Sequence, residues 1–373
     1  MARALRSAAI AKDPIELFGG NSKRLMAGAA APGKVCVSTR DLRGLLRYEP
    51  RDLTISVEAG ATLSSVNKEL ARNNQMLPLD GAWSDTATIG GTIAANVSGH
   101  RRRLYGTARD LVIGMRFATL EGKLIDTGGM VVKNVAGLDM AKIMIGSYGT
   151  LAAIVSVNFK VVPRPAASST MLFSFDDLSS ALVVRDEAIR GFLNPAAVDL
   201  LNPVLSAQVN LKGYVLALQF NGNPQMMDRV RTEVVTWGPA RELSPEEGSG
   251  FWHALDSVTP RHMEKFREGA VVRLSGTLTA VSEAMASVES ACHAHAASGI
   301  MRAWFSRPDA AQRWLALGLK RGFKGVVECS GEGAKSQLLL WPQPGADFAV
   351  MKQIKHMFDP GGLLNRGRLY GQL

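Results

Sequence analysis

The residues of this chain best suited to chemistry are glycines set among hydroxyl and amide side chains, in four segments. The first is Phe18-Gly19-Gly20-Asn21-Ser22-Lys23, directly after the apolar Ile15 and Leu17. Consecutive N–H groups at such a turn can form a concave nest for an anion, with Ser22 and Lys23 adding donors. Taken alone the segment reads first as an ordinary turn, because Gly, Asn and Ser all favour turns. The second runs from Leu77-Pro78-Leu79-Asp80 into Thr88-Ile89-Gly90-Gly91-Thr92 and on to Asn96-Val97-Ser98-Gly99. Tight helix–strand packing also demands small residues, but it does not account for Thr88, Asn96 and Ser98 among the glycines. The third is Lys133-Asn134-Val135-Ala136-Gly137-Leu138-Asp139, and the fourth is Gly146-Ser147-Tyr148-Gly149-Thr150-Leu151. A long ligand needs many places where backbone comes close, which glycine allows, and a few polar anchors, which the hydroxyls supply.

Composition limits what that ligand can be. The chain carries 43 basic and 33 acidic residues, a net charge of +10. Three anionic partners fit such a balance: nucleic acid, a membrane surface or a small molecule. The basic residues are dispersed, and Arg101-Arg102-Arg103 is their one tight run. Aromatics make up only 6%, which gives nucleobases little to stack on. A nucleic-acid role is therefore not expected. Cys36, Cys292 and Cys329 are too few for a disulfide framework or a four-cysteine iron–sulfur site, and they fit a reducing compartment. No window reaches the roughly 18 to 20 apolar residues of a spanning helix, and the basic start lacks the apolar core of a secretory signal. The expectation is a cytoplasmic soluble protein. GxGxxG, GxxxxGK[ST], GxSxG and HExxH are all absent, which removes the usual signatures of Rossmann, P-loop, α/β-hydrolase and zinc-protease chemistry.

The elements that must position these segments fall into two parts. A length of 373 residues favours two domains, and Val162-Pro163-Arg164-Pro165-Ala166-Ala167 reads as the break. Before it, Leu53 to Val57 alternates like a half-buried strand, and Thr62 caps a helix with Leu63, Val66 and Leu70 on one face. Leu111 to Leu120 and Lys123 to Ile125 read as a hairpin across Glu121-Gly122, and Val155 to Val161 as a further strand. After the break, strands are expected at Met171–Phe175, Tyr214–Phe220, Val271–Leu274 and Gln337–Trp341. Helices are expected near Asp177–Arg190, Asp228–Thr236 and Ser282–Ala297, with Pro239–Gly250 an exposed loop. This pattern implies an α+β second domain, with two similar strand–helix units.

Together and in this order, the four glycine segments resemble the FAD-binding domain of the vanillyl-alcohol-oxidase, or PCMH, type. That domain is shared by flavin-linked D-2-hydroxy-acid dehydrogenases, and more closely the chain is similar to the smaller FAD-binding subunit of bacterial glycolate oxidase. The resemblance runs from about Ile15 to Pro165 and returns at Phe358-Asp359-Pro360-Gly361-Gly362-Leu363-Leu364-Asn365-Arg366-Gly367-Arg368-Leu369. The fold it implies is α+β: a two-subdomain PCMH-type FAD-binding domain over 1–165, then a smaller α+β, ferredoxin-like domain over 166–373. Residues 357–373 would pack back near the flavin domain.

By the same resemblance, Gly19, Gly20, Asn21, Ser22 and Lys23 match the pyrophosphate loop. Pro78, Thr88, Gly90, Gly91, Asn96, Ser98 and Gly99 match the segment beside the phosphates and isoalloxazine. Gly149, Thr150 and Ile154 match the strand entry on the ribityl or adenine side. Asn21 stands where relatives with a covalent flavin carry histidine, so the FAD would be non-covalent. Leu138 replaces a usual tyrosine, and Arg366 replaces the proline of the usual terminal motif.

The function the resemblance implies is oxidation of a small 2-hydroxy acid, glycolate or also D-lactate, by an FAD subunit. A sister flavin subunit and an iron–sulfur subunit would be its partners, with peripheral membrane association through the complex. A stand-alone FAD-linked dehydrogenase and a non-catalytic assembly subunit are the alternatives. Catalytic relatives carry histidine-rich motifs in the second domain. Here His293-Ala294-His295 falls in a stretch that reads as helical, where residues two apart diverge, so no shared metal is expected. Arg109 and Lys133 are the candidates to hold a carboxylate, while Arg103 reads rather as a surface cation. No residue stands out as a general base.

Overall fold

A computed structural model describes residues 1–130, 139–342 and 344–373. Two compact units emerge. The first comprises Met1–Ser98, Gly106–Arg164 and the C-terminal segment; the second comprises Gly99–Tyr105 with Pro165–Pro342. The chain thus leaves the first unit between Arg164 and Pro165, and it also leaves it briefly at Gly99–Tyr105.

The first unit is built on strands β1 (Ile15–Phe18), β2 (Val35–Ser38), β3 (Leu45–Glu49), β4 (Thr54–Glu58), β5 (Gln75–Met76), β6 (Val112–Ala118), β7 (Leu124–Gly128), β8 (Ala153–Lys160) and β9 (Val162–Pro163). β3, β4, β8, β6 and β7 form one antiparallel sheet in that order, while β1 pairs with β2 in parallel and β5 with β9. Alternate residues Ile55, Val57, Met115, Phe117, Val157 and Phe159 turn inward. They meet Leu63, Val66 and Leu70 from the helix Leu63–Ala71, and Ile89 and Ile93 from the helix Ile89–Ala95. Each such side chain contributes about 1.5–3 kcal/mol on burial. Both helices start on a threonine: Thr62 accepts from the Ser65 N–H, and Thr88 from the Gly91 N–H.

The second unit is a single eight-stranded antiparallel sheet. Its strands are β10 (Ala167–Phe175), β11 (Ala197–Leu201), β12 (Tyr214–Gly222), β13 (Arg241–Leu243), β14 (Ala270–Ser275), β15 (Ala291–His295), β16 (Ile300–Phe305) and β17 (Lys324–Ser330), in the order β13-β10-β12-β11-β15-β16-β14-β17. The order resolves into two ferredoxin-like βαββαβ halves. One is β10, helix Leu178–Arg190, β11, β12, helix Pro224–Val234 and β13; the other is β14, helix Leu278–Ala286, β15, β16, helix Pro308–Lys320 and β17. The second strand of each half lies at the edge of its own four, so β11 and β15 join the halves at the middle of the sheet. Met171, Phe173, Leu216, Leu218, Met301 and Ala303 face the core with Val184, Val230 and Trp314. Their neighbours along each strand face the other way, because successive strand residues alternate sides.

Three sequence expectations fail in this unit. Ser282–Ala297 is not one helix: the helix stops at Ala286, and Ala291–His295 is strand β15. Its alanines favour helix over strand, so the stretch reads as a continuation of the helix before it. Pro239–Gly250 is not a loop but contains β13 and the start of the helix Pro245–Asp256. A capping box drives that helix, with Ser244 and Glu247 satisfying each other's backbone N–H. Gln337–Trp341 forms no strand; a single helical turn at Lys335–Gln337 precedes irregular chain. Among the described residues, no helix is long and apolar enough to cross a membrane.

Candidate functional sites

In the first unit three of the four glycine segments converge. The loop after β1 lies on the start of the helix Ile89–Ala95: the Gly20 N–H points to Thr88 Oγ1 at 3.5 Å, and Lys23 Nζ donates to Thr92 Oγ1 at 3.4 Å. A Cβ on Gly19 would stand 2.5 Å from Thr88 Oγ1, so only glycine lets the two segments touch. Asn21 sits in the left-handed region with φ 58°, which bends the loop sharply. The N–H groups of Asn21 and Ser22 make no hydrogen bond to protein among the described residues, leaving donors for an anion. Lys23 is buried close beside them. Gly90 packs its backbone on Ala59, its N–H donating to the Ala59 carbonyl at 2.8 Å.

The loop Gly146 to Thr150 docks on the same helix, through Gly146 N–H to the Ile93 carbonyl and Tyr148 N–H to the Ala94 carbonyl. Pro78 is buried, and the residue before it is pinned by Asn67, whose side chain bonds both the N–H and the carbonyl of Leu77. Thr150 turns its hydroxyl to the Ser147 carbonyl.

Other residues singled out from the sequence lie elsewhere. Ile154 is a core residue of β8. Asn96 ends its helix in left-handed geometry with an exposed side chain. Ser98 is buried at the unit's edge, whereas Gly99 belongs to the second unit. Arg109 is exposed, and its backbone carbonyl accepts from Lys142. Lys133 lies outside the described residues. Arg103 is neither a site residue nor a free surface cation: it donates to Asn194 Oδ1 and to the Pro195 carbonyl, within the second unit.

The second unit holds a site that the sequence did not disclose. On the non-core side of its sheet, Asp199 of β11 faces His295 of β15 across the joint between the halves. Because β15 is a strand, His293 and His295 lie on the same side, and both reach Asp199. His295 Nδ1 is 3.0 Å from Asp199 Oδ1. His293 Nε2 is 2.9 Å from Oδ2 but out of hydrogen-bond alignment. The array continues through Arg302 of β16, which donates to His295 Nε2 at 3.0 Å and grips Glu328 of β17 with two nitrogens at 2.6 and 3.2 Å.

Arginine only donates and an ionised carboxylate only accepts, so His295 is the neutral tautomer with its proton on Nδ1. Burial pushes its pKa down to about 4. Burial opposes the charge on Asp199, yet the two imidazoles hold its carboxyl well below the usual carboxylate range. Glu328 is likewise held low against burial by Arg302 and Arg273. Among the described residues, Asp199, His293 and His295 are the trio whose donor atoms come close enough, within 4.8 Å, to share one ion. The divergent-helix argument against a shared ligand set therefore does not hold. The readable signal was the period-two placement of His293 and His295 against Cys292 and Ala294, the mark of a strand.

Comparison with known proteins meets this geometry at both ends of the chain. The family described as "FAD binding domain" matches residues 1–128, and "FAD linked oxidases, C-terminal domain" matches residues 333–369. Both ends of the chain thus match domains of the FAD-linked oxidases. The cofactor is FAD, and the chain shares the PCMH-type α+β fold of that family. Glycolate oxidase subunit GlcE of Escherichia coli (strain K12) is 38% identical over 161 residues, covering 43% of this chain and 45% of that protein. The match thus spans less than half the length of GlcE. D-2-hydroxyglutarate dehydrogenase of Xanthomonas citri pv. viticola is 26% identical over 94% of this chain and 83% of its own length. A solved structure of alkyldihydroxyacetonephosphate synthase superposes with a TM-score of 0.71 at 20% identity, over 98% of this chain and 73% of that one, and attests the fold.

Proposed function

We propose that this chain is the FAD-binding subunit of a glycolate-oxidising complex. It takes glycolate, with D-lactate as the next candidate, to the 2-oxo acid. The observation that carries this reading is the 38% identity to GlcE. Electrons then leave through an iron–sulfur partner, because Cys36 is exposed, Cys292 and Cys329 are buried, and three cysteines cannot hold a four-ligand cluster. A sister flavin subunit completes the assembly, which sits in the cytoplasm and touches the membrane only through its partners.

Bound non-covalently, FAD supplies the acceptor for the hydride that leaves the carbinol carbon. The chain's own residues do the rest. The N–H groups of Asn21 and Ser22, with Lys23, would hold the diphosphate. Gly19, Gly20, Gly90, Gly91 and Gly149 would let backbone segments come together around it, and Pro78, Thr88 and Thr150 would shape the groove.

Within the second unit, Asp199 and His295 form a buried acid–base pair. Asp199 fixes the proton on Nδ1, so the Nε2 lone pair accepts from Arg302. A second reading, a stand-alone D-2-hydroxy-acid dehydrogenase, is favoured by the near full-length match to D-2-hydroxyglutarate dehydrogenase.

The test is to purify the chain with and without its natural partners and to record flavin absorbance before and after anaerobic glycolate. Bleaching in the complex alone supports the subunit reading; bleaching by the isolated chain supports the second. A chain that carries no flavin in either form would falsify both.

A further inference from the structure

The loop from Gly19 to Ala31 contains almost no regular structure of its own, so its shape must be imposed from outside. The residues that impose it come from the far end of the chain. After the helix Asp347–Phe358, the backbone returns beside β1: Ile15 N–H donates to the Leu363 carbonyl at 2.8 Å, and Asn365 N–H to the Ile15 carbonyl at 3.0 Å. The Asn365 side chain then makes three bonds. Its Oδ1 accepts from Leu17 N–H at 2.7 Å, and its Nδ2 donates to the carbonyls of Leu17 and Tyr148, each at 2.9 Å. One buried amide thus joins the end of β1 to the Gly146–Thr150 loop. Gly149, with φ 71°, leaves room for it, since a Cβ there would stand 2.7 Å from Nδ2.

Arg368 acts one step further along. Its guanidinium donates to the carbonyls of Arg24 at 3.1 Å, Gly28 at 3.2 Å and Lys23 at 3.3 Å, and lies 5.5 Å from the centre of the Tyr148 ring. Backbone bonds from Gly28 N–H to the Arg368 carbonyl and from Ala31 N–H to the Arg366 carbonyl close the seam. A planar fork can gather several carbonyls at once, where an ammonium offers a single point. Each carbonyl drawn toward Arg368 fixes a peptide plane, and so the direction of the N–H groups in the same turn.

We infer that Asn365 and Arg368 are positioning residues for the FAD diphosphate: they hold the loop Gly19–Gly28 in its binding shape before the cofactor arrives. The inference rests on the reading that this loop takes the diphosphate. Its energetic content is preorganisation, since a loop already held in place does not have to be ordered at the moment of binding.

The full chain tests it, as wild type, Asn365→Ala, Arg368→Ala and Arg368→Lys, with Ser22→Pro as a direct lesion of the loop. FAD dissociation constants come from flavin fluorescence titration of apoprotein, and apoprotein melting is followed in parallel. The expected result is at least a tenfold rise in Kd for Asn365→Ala and Arg368→Ala, an intermediate rise for Arg368→Lys, and free guanidinium partly restoring Arg368→Ala. Amide exchange of the apoprotein should quicken over 19–28 in these variants while β6 and β8 stay protected. Kd values within twofold of wild type in both alanine variants overturn the inference. A fall in apoprotein melting with Kd unchanged does so too, because Asn365 and Arg368 would then be structural only. If Ser22→Pro leaves Kd unchanged, the loop assignment itself is wrong; if it raises Kd while the clamp variants do not, only the clamp is.

Discussion

The two units assemble chemistry by opposite means. In the first, the working groups are mostly main-chain N–H donors, and side chains serve to bring backbone segments together: glycine by absence, threonine by capping, Asn365 and Arg368 by gathering carbonyls. In the second, the backbone is saturated by its own ladder, and the working groups are five ionisable side chains on strands β11, β15, β16 and β17, the last reached across β14. A backbone site needs residue types in a fixed local order. A side-chain site on a sheet needs only the right parity on strands that the chain reaches far apart in sequence.

The contrast can be broken most forcefully at Asp199. Asp199→Ala removes the carboxylate that faces two buried imidazoles and leaves the cation Arg302 beside them, at an expected cost of about 3–5 kcal/mol in unfolding free energy. Denaturant titration checks it, and FAD binding by the first unit should persist while the second unit loosens. An unfolding free energy within 1 kcal/mol of wild type would show that the array is ornamental.

Acid should act on the same unit. His295 has a folded pKa of about 4, below the ordinary value of about 6.5, so the unfolded chain binds more protons between these values. Stability from this group is complete above about pH 6.5 and falls as pH drops toward 4, by up to about 3 kcal/mol. Asp199, held low in the folded state, adds loss in the same direction below its ordinary pKa. The check is melting temperature against pH for wild type and His295→Gln, the variant lacking the decline in this window.

Gly149→Ala tests the first unit in turn. Its left-handed backbone and close approach to Asn365 predict about 1–3 kcal/mol of destabilisation, with faster loss of flavin on dilution. The smallest effect is expected from Thr88→Ala, which removes a helix cap and should cost about 1 kcal/mol in chemical unfolding. If Thr88→Ala weakened flavin retention no more than a distant cap variant such as Thr62→Ala, the threonine would belong to the helix and not to the site.

The contrast also explains what could be read without coordinates. Gly19, Gly20, Thr88, Gly90 and Gly149 announce themselves because turns and close approaches restrict residue type locally. The capped helix at Leu63–Ala71 and the strands β4, β6 and β8 follow from the same short-range rules. Asp199, His295, Arg302 and Glu328 did not, because nothing within a few residues of Asp199 specifies which strand will lie beside β11. Reading β15 as helix then turned the two histidines apart, when strand parity in fact sets them side by side. Asn365 and Arg368 were visible as part of a terminal motif, but their purpose is set by partners some 340 positions away.

That separation has a consequence for biosynthesis. β1 leaves the ribosome early, yet the groups that fasten its end and the loop beyond it are made 348 residues later, for Asn365 against Leu17. The second unit is almost continuous in sequence, so its sheet can close while the first unit still waits for its last strap. A nascent chain arrested before Leu363 would therefore carry a finished ferredoxin-like half-pair and an unfastened Gly19–Ala31 loop, and if that loop takes the diphosphate as proposed, flavin uptake is a late event in the protein's maturation.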